Sequence, residues 1–186
     1  MDNVLDCVMP YIHDGDDLNS ISLVCHKGYE LDCITRKHVT VHVPYASNSF
    51  RLSQRFPYIE SLALKGFPFE YFGRNVPAIQ ITPWIQEIAV KSFKCLKELY
   101  IRDMVVSDSD LELLVRKRGK DLTSLKMYHC QGFSMDGLMH VFKYCNNLGT
   151  LWLEGNFIKD ERGKDGQWLH ELALHNKEML SDMLSS

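Results

Sequence analysis

The sequence has no surplus of positive charge: 21 Lys and Arg stand against 24 Asp and Glu, for a formal net charge of -3. A phosphate backbone is gripped by clustered cations, so nucleic acid is excluded as an expected partner. No apolar run approaches the about 18 residues of a membrane span, and the opening MDNVLDCVMPYIHDGDD is acidic where a secretory signal is basic. The expectation is a soluble intracellular chain with no membrane partner. Cys7, Cys25, Cys33, Cys95, Cys130 and Cys145 include no CxxC pair, which argues against a disulfide framework or zinc knuckle and for free, buried thiols. Cys25, Cys33, His38 and His42 come nearest to a metal set, but a zinc finger brings its two cysteines within a few residues of each other. His13 stands near acids without a partner motif. His170, Glu171 and His175 form HExxxH rather than the zincin HExxH, and an offset of five turns the imidazoles to different sides of a helix. No metal and no catalytic residue are expected, and the chain reads as a non-enzyme.

What is present is a repeat. CLKELYIRDM from Cys95, DLTSLKMYHC from Asp121 and NLGTLWLEGN from Asn147 align without gaps at a period of 26. Apolar positions recur at Leu96, Leu122 and Leu148, at Leu99, Leu125 and Leu151, and at Ile101, Met127 and Leu153. In this LxxLxL pattern the last two apolar positions flank one outward residue, as a short strand requires, while the first turns the chain into the strand. Leucine-rich repeats of about 20 to 29 residues are built this way. Each strand is followed by a helical stretch. Ser107 or Asp108 can cap the first, over Leu111, Leu114 and Val115, and Ser134 the second, over Leu138, Val141 and Phe142. Trp168, Leu169 and Leu172 fall at helical spacing in the third. The basic run RKRGK at 116 to 120 reads as a solvated helix end rather than an import signal.

YIESLALKG is an earlier copy, with Ile59, Leu62 and Leu64 at the offsets of Leu96, Leu99 and Ile101, but the next copy follows after 37 residues. The surplus starts with KGFPFEYF and continues through GRNVPAIQITPW, on the loop side of the solenoid, where insertions commonly build a binding face. Its four aromatics suit either a strip of core or the lip of a site. A further strand is due near Leu180, yet after Leu180, Met183 and Leu184 no terminal cap is visible, so the solenoid reads as truncated or as covered by another chain.

Ahead of the repeats, Val4, Val8 and Ile12 share one helical face with Leu5 and Met9 beside them. Asp16 or Asp17 can cap a second helix bearing Leu18, Ile21, Val24 and Cys25, and LDCITRKH continues as a third. Three short helices make a poor independent domain, so this module must lean on the solenoid or on a partner. The expected fold is α/β: a three-helix module over residues 1–43, then leucine-rich repeats over 44–186 with an insertion at 65–94.

A helical module with SLVC at 22 to 25, followed at once by leucine-rich repeats, resembles an F-box protein. Longer runs resemble one plant family: TRKHVTV at 35 to 41, RLSQRFPYIESLALKG at 51 to 66, MVVSDSDLELL at 104 to 114, GFSMDGL at 132 to 138 and WLHELALHN at 168 to 176. These are similar to the coronatine-insensitive jasmonate receptors, with the transport-inhibitor-response auxin receptors as more distant relatives. The resemblance implies a nuclear, non-catalytic substrate receptor of an SCF-type (Skp-cullin-F-box) ubiquitin ligase. It implies a Skp-type adaptor docked through Val4, Leu5, Val8, Met9, Ile12, Leu18 and Val24, and a solenoid holding a degron-bearing transcriptional repressor. An inositol phosphate and a hormone complete the site in that family, which here implies Lys65, Phe69, Phe72 and Arg102 as ligand residues.

The chain departs from the family at four places. Gly28 stands where a tryptophan is usual, which predicts a loss of up to about 3 kcal/mol of burial, with Tyr29 compensating in part. Phe69 replaces a hormone-facing arginine and cannot fork onto a carboxylate. Asp103 follows Arg102 where the family has paired bases, reversing the local electrostatics. The later repeats that supply most of the hormone pocket are absent from the sequence. These departures predict an incomplete pocket and no bound cofactor, and leave a second reading open: a truncated or decayed decoy without ligase function.

Overall fold

The computed structural model describes residues 2–46, 48–68, 78–90 and 92–159, with side chains from Val4 onward. The expectations for Phe69, Phe72, the helix bearing Trp168, Leu169 and Leu172, the His170, Glu171 and His175 set, and the final Leu180, Met183 and Leu184 lie outside the described residues.

Helix α1 (Asp2–Val8) runs into a 3-10 turn at Met9–Tyr11, then come α2 (Gly15–Val24) and α3 (His26–Thr35). The cap of α2 is Asp14, not Asp16 or Asp17: its carboxylate accepts from both of their amides, at 2.9 and 3.0 Å. Those two acids instead sit in the first turn, where they oppose the positive end of the helix dipole. The Cys25 thiol caps α3, accepting from the Gly28 amide at 3.2 Å. Gly28 itself lies where α2 and α3 touch. A Cβ there would stand 2.6 Å from the Ile21 carbonyl oxygen, so the position has no room for a side chain. The expected deficit from a missing aromatic is therefore replaced by a close helix crossing that glycine permits.

Five strands, β1 (His38–His42), β2 (Ser61–Lys65), β3 (Glu98–Arg102), β4 (Ser124–Tyr128) and β6 (Thr150–Glu154), form one parallel sheet in that order. Two leucine ladders run across it in strict register. Val39, Leu62, Leu99, Leu125 and Leu151 are Cα partners, as are Val41, Leu64, Ile101, Met127 and Leu153. Both ladders face helices α5 (Thr82–Ala89), α6 (Asp108–Arg118) and α7 (Met135–Tyr144), and together they make one continuous core. Burying each such side chain stabilises the fold by about 1.5 to 3 kcal/mol. β1 belongs to this sheet although sequence periodicity had placed its residues with the helical module. Helix α4 (Ser49–Arg55) crosses between β1 and β2.

Ser107 closes a reciprocal capping box with Asp110 at the start of α6, and Ser134 caps α7. A second parallel pair, β5 (Gln131–Ser134) and β7 (Phe157–Lys159), continues through single bridges from Gln131 to Val105 and from Val105 to Gln80. That second ladder locates the surplus chain of the first repeat. Residues 66–79 separate Lys65 from Gln80, where only 103 and 104 separate Arg102 from Val105. Helix α5 then does for the first repeat what α6 and α7 do for the next two.

Arg118, in the RKRGK run, is 2 % exposed and donates to the Phe93 and Leu96 carbonyls at 3.0 and 3.1 Å. The run is thus part of the repeat packing, solvated only at Arg116, Lys117 and Lys120.

Candidate functional site

The helical module buries little of its own apolar surface. Met9 and Leu18 are its fully buried hydrophobic side chains, whereas Val4, Val8, Tyr11, Leu23, Val24 and Ile34 stay exposed, Leu23 and Val24 at 87 % and 82 %. So many bare apolar groups on three short helices form an exposed patch of the kind that marks an interaction surface. Of the residues expected to touch an adaptor, Val4, Val8 and Val24 are on this surface and Leu5 and Ile12 are half-buried at its margin. Met9 and Leu18 lie beneath it and support it from inside. Tyr11 and Leu23 share the same exposed surface and were not among the expected residues. Leu23 sits next to Val24 at the end of α2, and its place in the SLVC run was the available signal.

A polar joint fixes this module to the first repeat. Asp32 on α3 is 0 % exposed and accepts from Arg36 Nε at 2.7 Å, with Arg55 Nη2 of α4 at 3.6 Å. Arg36 also donates to Asn19 Oδ1, and Arg55 to the Ser22 hydroxyl. Both guanidinium groups stack on the Phe56 ring, and Arg55 on Tyr29 as well. Tyr29 thus serves the joint.

The outward residues of the sheet form the second candidate surface. Strand alternation puts Ser61, Ala63 and Lys65, then Glu98, Tyr100 and Arg102, then Ser124, Lys126 and Tyr128, then Thr150, Trp152 and Glu154 on one face. Between them lies an open groove of about 510 Å³, bounded by Tyr100, Lys126, Tyr128 and Trp152. Trp152 Nε1 donates to Glu154 Oε2 at 2.9 Å, which fixes the indole at one end.

Lys65 and Arg102 are Cα partners at the carboxyl ends of β2 and β3, so the structure brings together these two expected ligand residues. Phe69 and Phe72 lie outside the described residues. Arg102 is already engaged: its Nε donates to Asp103 Oδ2 at 3.0 Å, and its guanidinium stacks 5.0 Å from the Tyr128 ring centroid. Burial opposes its charge, but Asp103, joined by Tyr100 and Tyr128, outweighs burial and raises the pKa of Arg102. Tyr100, nearby, has its pKa raised by burial against the pull of Arg102. Asp103 is 3 % exposed, and its other oxygen lies 3.4 Å from His129 Nδ1 without hydrogen-bond geometry. An inositol phosphate does not fit this set as it stands, because a buried carboxylate holds the Nε of the guanidinium that would face it and opposes a second anion there.

The expectation of buried thiols is met by Cys130 and Cys145 and corrected elsewhere: Cys7 and Cys25 are exposed and Cys33 half-buried, because the thin helical module has no core deep enough to enclose them, and Cys95, ahead of β3, is half-buried. All six thiols are free, and burial pushes Cys130 up to about 12 and Cys145 up to about 11. Among the described residues no helix is long and apolar enough to cross a membrane, and no group of His, Cys, Asp and Glu is placed to hold a metal ion.

A short helical module with an uncovered apolar face, locked to a ladder of parallel strands with leucines in register, defines an F-box protein with leucine-rich repeats. The F-box family model matches residues 1–38. The chain is 41% identical over 179 residues to coronatine-insensitive protein 1 of Arabidopsis thaliana, covering 95% of this chain and 30% of that protein. It is 43% identical over 183 residues to coronatine-insensitive protein homolog 1a of Oryza sativa subsp. indica, covering 97% and 30%. A transport inhibitor response 1-like protein of Oryza sativa subsp. japonica is 34% identical over 171 residues, covering 90% and 28%. The chain belongs to the coronatine-insensitive and transport-inhibitor-response family of F-box leucine-rich-repeat proteins, and it spans about 30% of the length of the relatives it matches.

Proposed function

We propose that this chain is a non-catalytic substrate-receptor subunit of an SCF-type ubiquitin ligase, docking a Skp-type adaptor through Val4, Val8, Tyr11, Leu23 and Val24, with Leu5 and Ile12 at the margin. The observation that carries the reading is the contrast inside the module: two hydrophobic side chains buried, and a belt of apolar ones left in solvent. A burial deficit of that kind is met by a partner. The modules divide in this proposal between Arg36 and His38, where α3 ends and β1 joins the sheet. Nuclear residence follows from the family resemblance alone, since Arg118 of the RKRGK run is locked in the repeat core. The test is a pull-down of a purified plant Skp-type adaptor. The wild-type chain is expected to retain it and a Val8→Glu, Val24→Glu double variant to lose it, while both keep the same thermal melt. Failure of the wild-type chain to bind would refute the ligase reading.

A second reading is a decoy that holds adaptor or target without delivering a repressor for degradation. The ion pair between Arg102 and Asp103 favours it, because that pair neutralises part of the rim where an anionic ligand would be read. Degradation of a jasmonate-pathway repressor in cells that rely on this chain alone would argue against the decoy.

A further inference from the structure

The strand ends carry a regular corner. Asp103, His129 and Gly155 follow β3, β4 and β6 at corresponding places, and all three are left-handed, with φ of 55, 50 and 63. Two of these positions thus hold side chains in a conformation that glycine takes without strain. Asp103 uses the corner to turn its carboxylate back under the rim. It meets Arg102 Nε at 3.0 Å on its own strand and comes within 3.4 Å of His129 Nδ1 on the next. Tyr100 and Tyr128 border the same spot, with Tyr128 under the Arg102 guanidinium. On the other side Lys65, the Cα partner of Arg102, forms no ion pair among the described residues. Arg102 and His129, from neighbouring strand ends, therefore meet at one carboxylate that belongs to the chain, with Lys65 at the paired end of the next strand.

We propose that Asp103 is an internal pseudo-ligand: it fills a seat for a phosphate-bearing anion formed by Lys65, Arg102 and His129, and so closes that seat in this chain. The inference deepens the receptor reading of the rim and rests on it for the location of the site. Its chemistry is independent of adaptor docking. A charged carboxylate on the guanidinium competes with an incoming phosphate in two ways: it takes the Nε donor of the group that would grip phosphate oxygens, and it repels the second anion. Removing the carboxylate should open the seat. Glycine is the safest replacement, because Gly155 already takes the same corner.

The experiment is calorimetric titration of the purified full chain with inositol hexakisphosphate at about 0.15 M salt, an ionic strength that screens diffuse attraction. D103G is expected to bind at least tenfold more tightly than wild type, and the added R102Q substitution to remove the gain. Inorganic phosphate should follow the same order with weaker affinity. Equal affinity of wild type and D103G, including no binding by either, would overturn the proposal, as would a gain that survives R102Q. Should D103G fail to fold, D103N decides by the same criteria, since asparagine keeps the shape and tolerates the left-handed corner. Adaptor pull-down on the same samples separates the two readings: loss of docking with an intact anion gain spares the seat, and the converse spares the receptor.

Discussion

Asp32 of the helical module and Arg55 of the first repeat face each other 3.6 Å apart across the junction of the two, with the carboxylate wholly buried and Arg36 as its nearer partner. A charge placed there is tolerable only because two guanidinium groups answer it. Removing one partner of a buried pair leaves the others unanswered, at about 3 to 5 kcal/mol. Asp32→Ala should therefore lower unfolding stability by about that amount in urea titration, and the F-box and repeat signals should no longer melt together. A loss below about 0.5 kcal/mol, typical of an unremarkable surface change, would show that the joint is not structural.

Position 28 makes a prediction opposite to the one family resemblance suggests. A tryptophan there would not restore a missing anchor, because even a methyl group meets the Ile21 carbonyl oxygen at 2.6 Å. Gly28→Ala should destabilise by about 1 to 3 kcal/mol, the usual cost of overpacking, and Gly28→Trp by more. Adaptor retention should fall with both. Improved retention in Gly28→Trp would mean that α2 and α3 can separate.

What the sequence made legible was the part governed by periodicity. The leucine register at Leu99, Leu125 and Leu151 and the caps at Ser107 and Ser134 follow from local chemistry, and the structure has them. β1 escaped because its alternation, HVTVH, is five residues long and follows a helix directly. Asp14 was passed over as a cap because three acids stand close together and only geometry selects among them. The α5 helix was absorbed into the insertion because its start lies in the run GRNVPAIQITPW that makes up the extra spacing; its proline stands in the first turn, where it is tolerated. At the rim, the adjacency of Lys65 and Arg102 followed from the repeat alignment. The capture of Arg102 by Asp103 depends on a backbone corner that no pattern reports.

The ladder predicts its own sensitivity. Leu125 is fully buried between Leu99 and Leu151, whereas Trp152, one residue along from Leu151, is half exposed on the opposite face. Leu125→Ala should cost about 2 to 5 kcal/mol through lost burial and a cavity. Trp152→Ala should stay within about 0.5 kcal/mol. Chemical denaturation of the two variants checks the face assignment, and similar losses would contradict the strand register.

Glu60 gives the pH dependence. Hydrogen bonds from Lys97 and then Lys37 hold its carboxyl below the usual carboxylate range. A depressed folded-state pKa means that its contribution is present above the ordinary glutamate pKa and is lost as pH falls through the folded value. The Glu60 side chain is about one-third exposed and Lys97 more so, so the pair is screened. Glu60→Gln should leave a melting curve less dependent on pH below neutrality, with the difference from wild type shrinking as salt rises. A difference independent of salt would point to a packing effect.

The thiols supply a test of burial that needs no mutation. Cys7 and Cys25 are exposed, while Cys130 and Cys145 are buried and held protonated by burial. Reactivity follows the thiolate and its access, so a limited pulse of iodoacetamide on the native chain should label Cys7 and Cys25 and leave Cys130 and Cys145 untouched until denaturant is added. Because the Cys25 thiol accepts the Gly28 amide at the start of α3, its alkylation should loosen the helix crossing and weaken adaptor retention, whereas alkylation of Cys7 in a Cys25→Ser background reports on α1 alone. Mass spectrometry of peptides after each pulse reads both outcomes. Early labelling of Cys130 would mean that the last described repeats open in the native state.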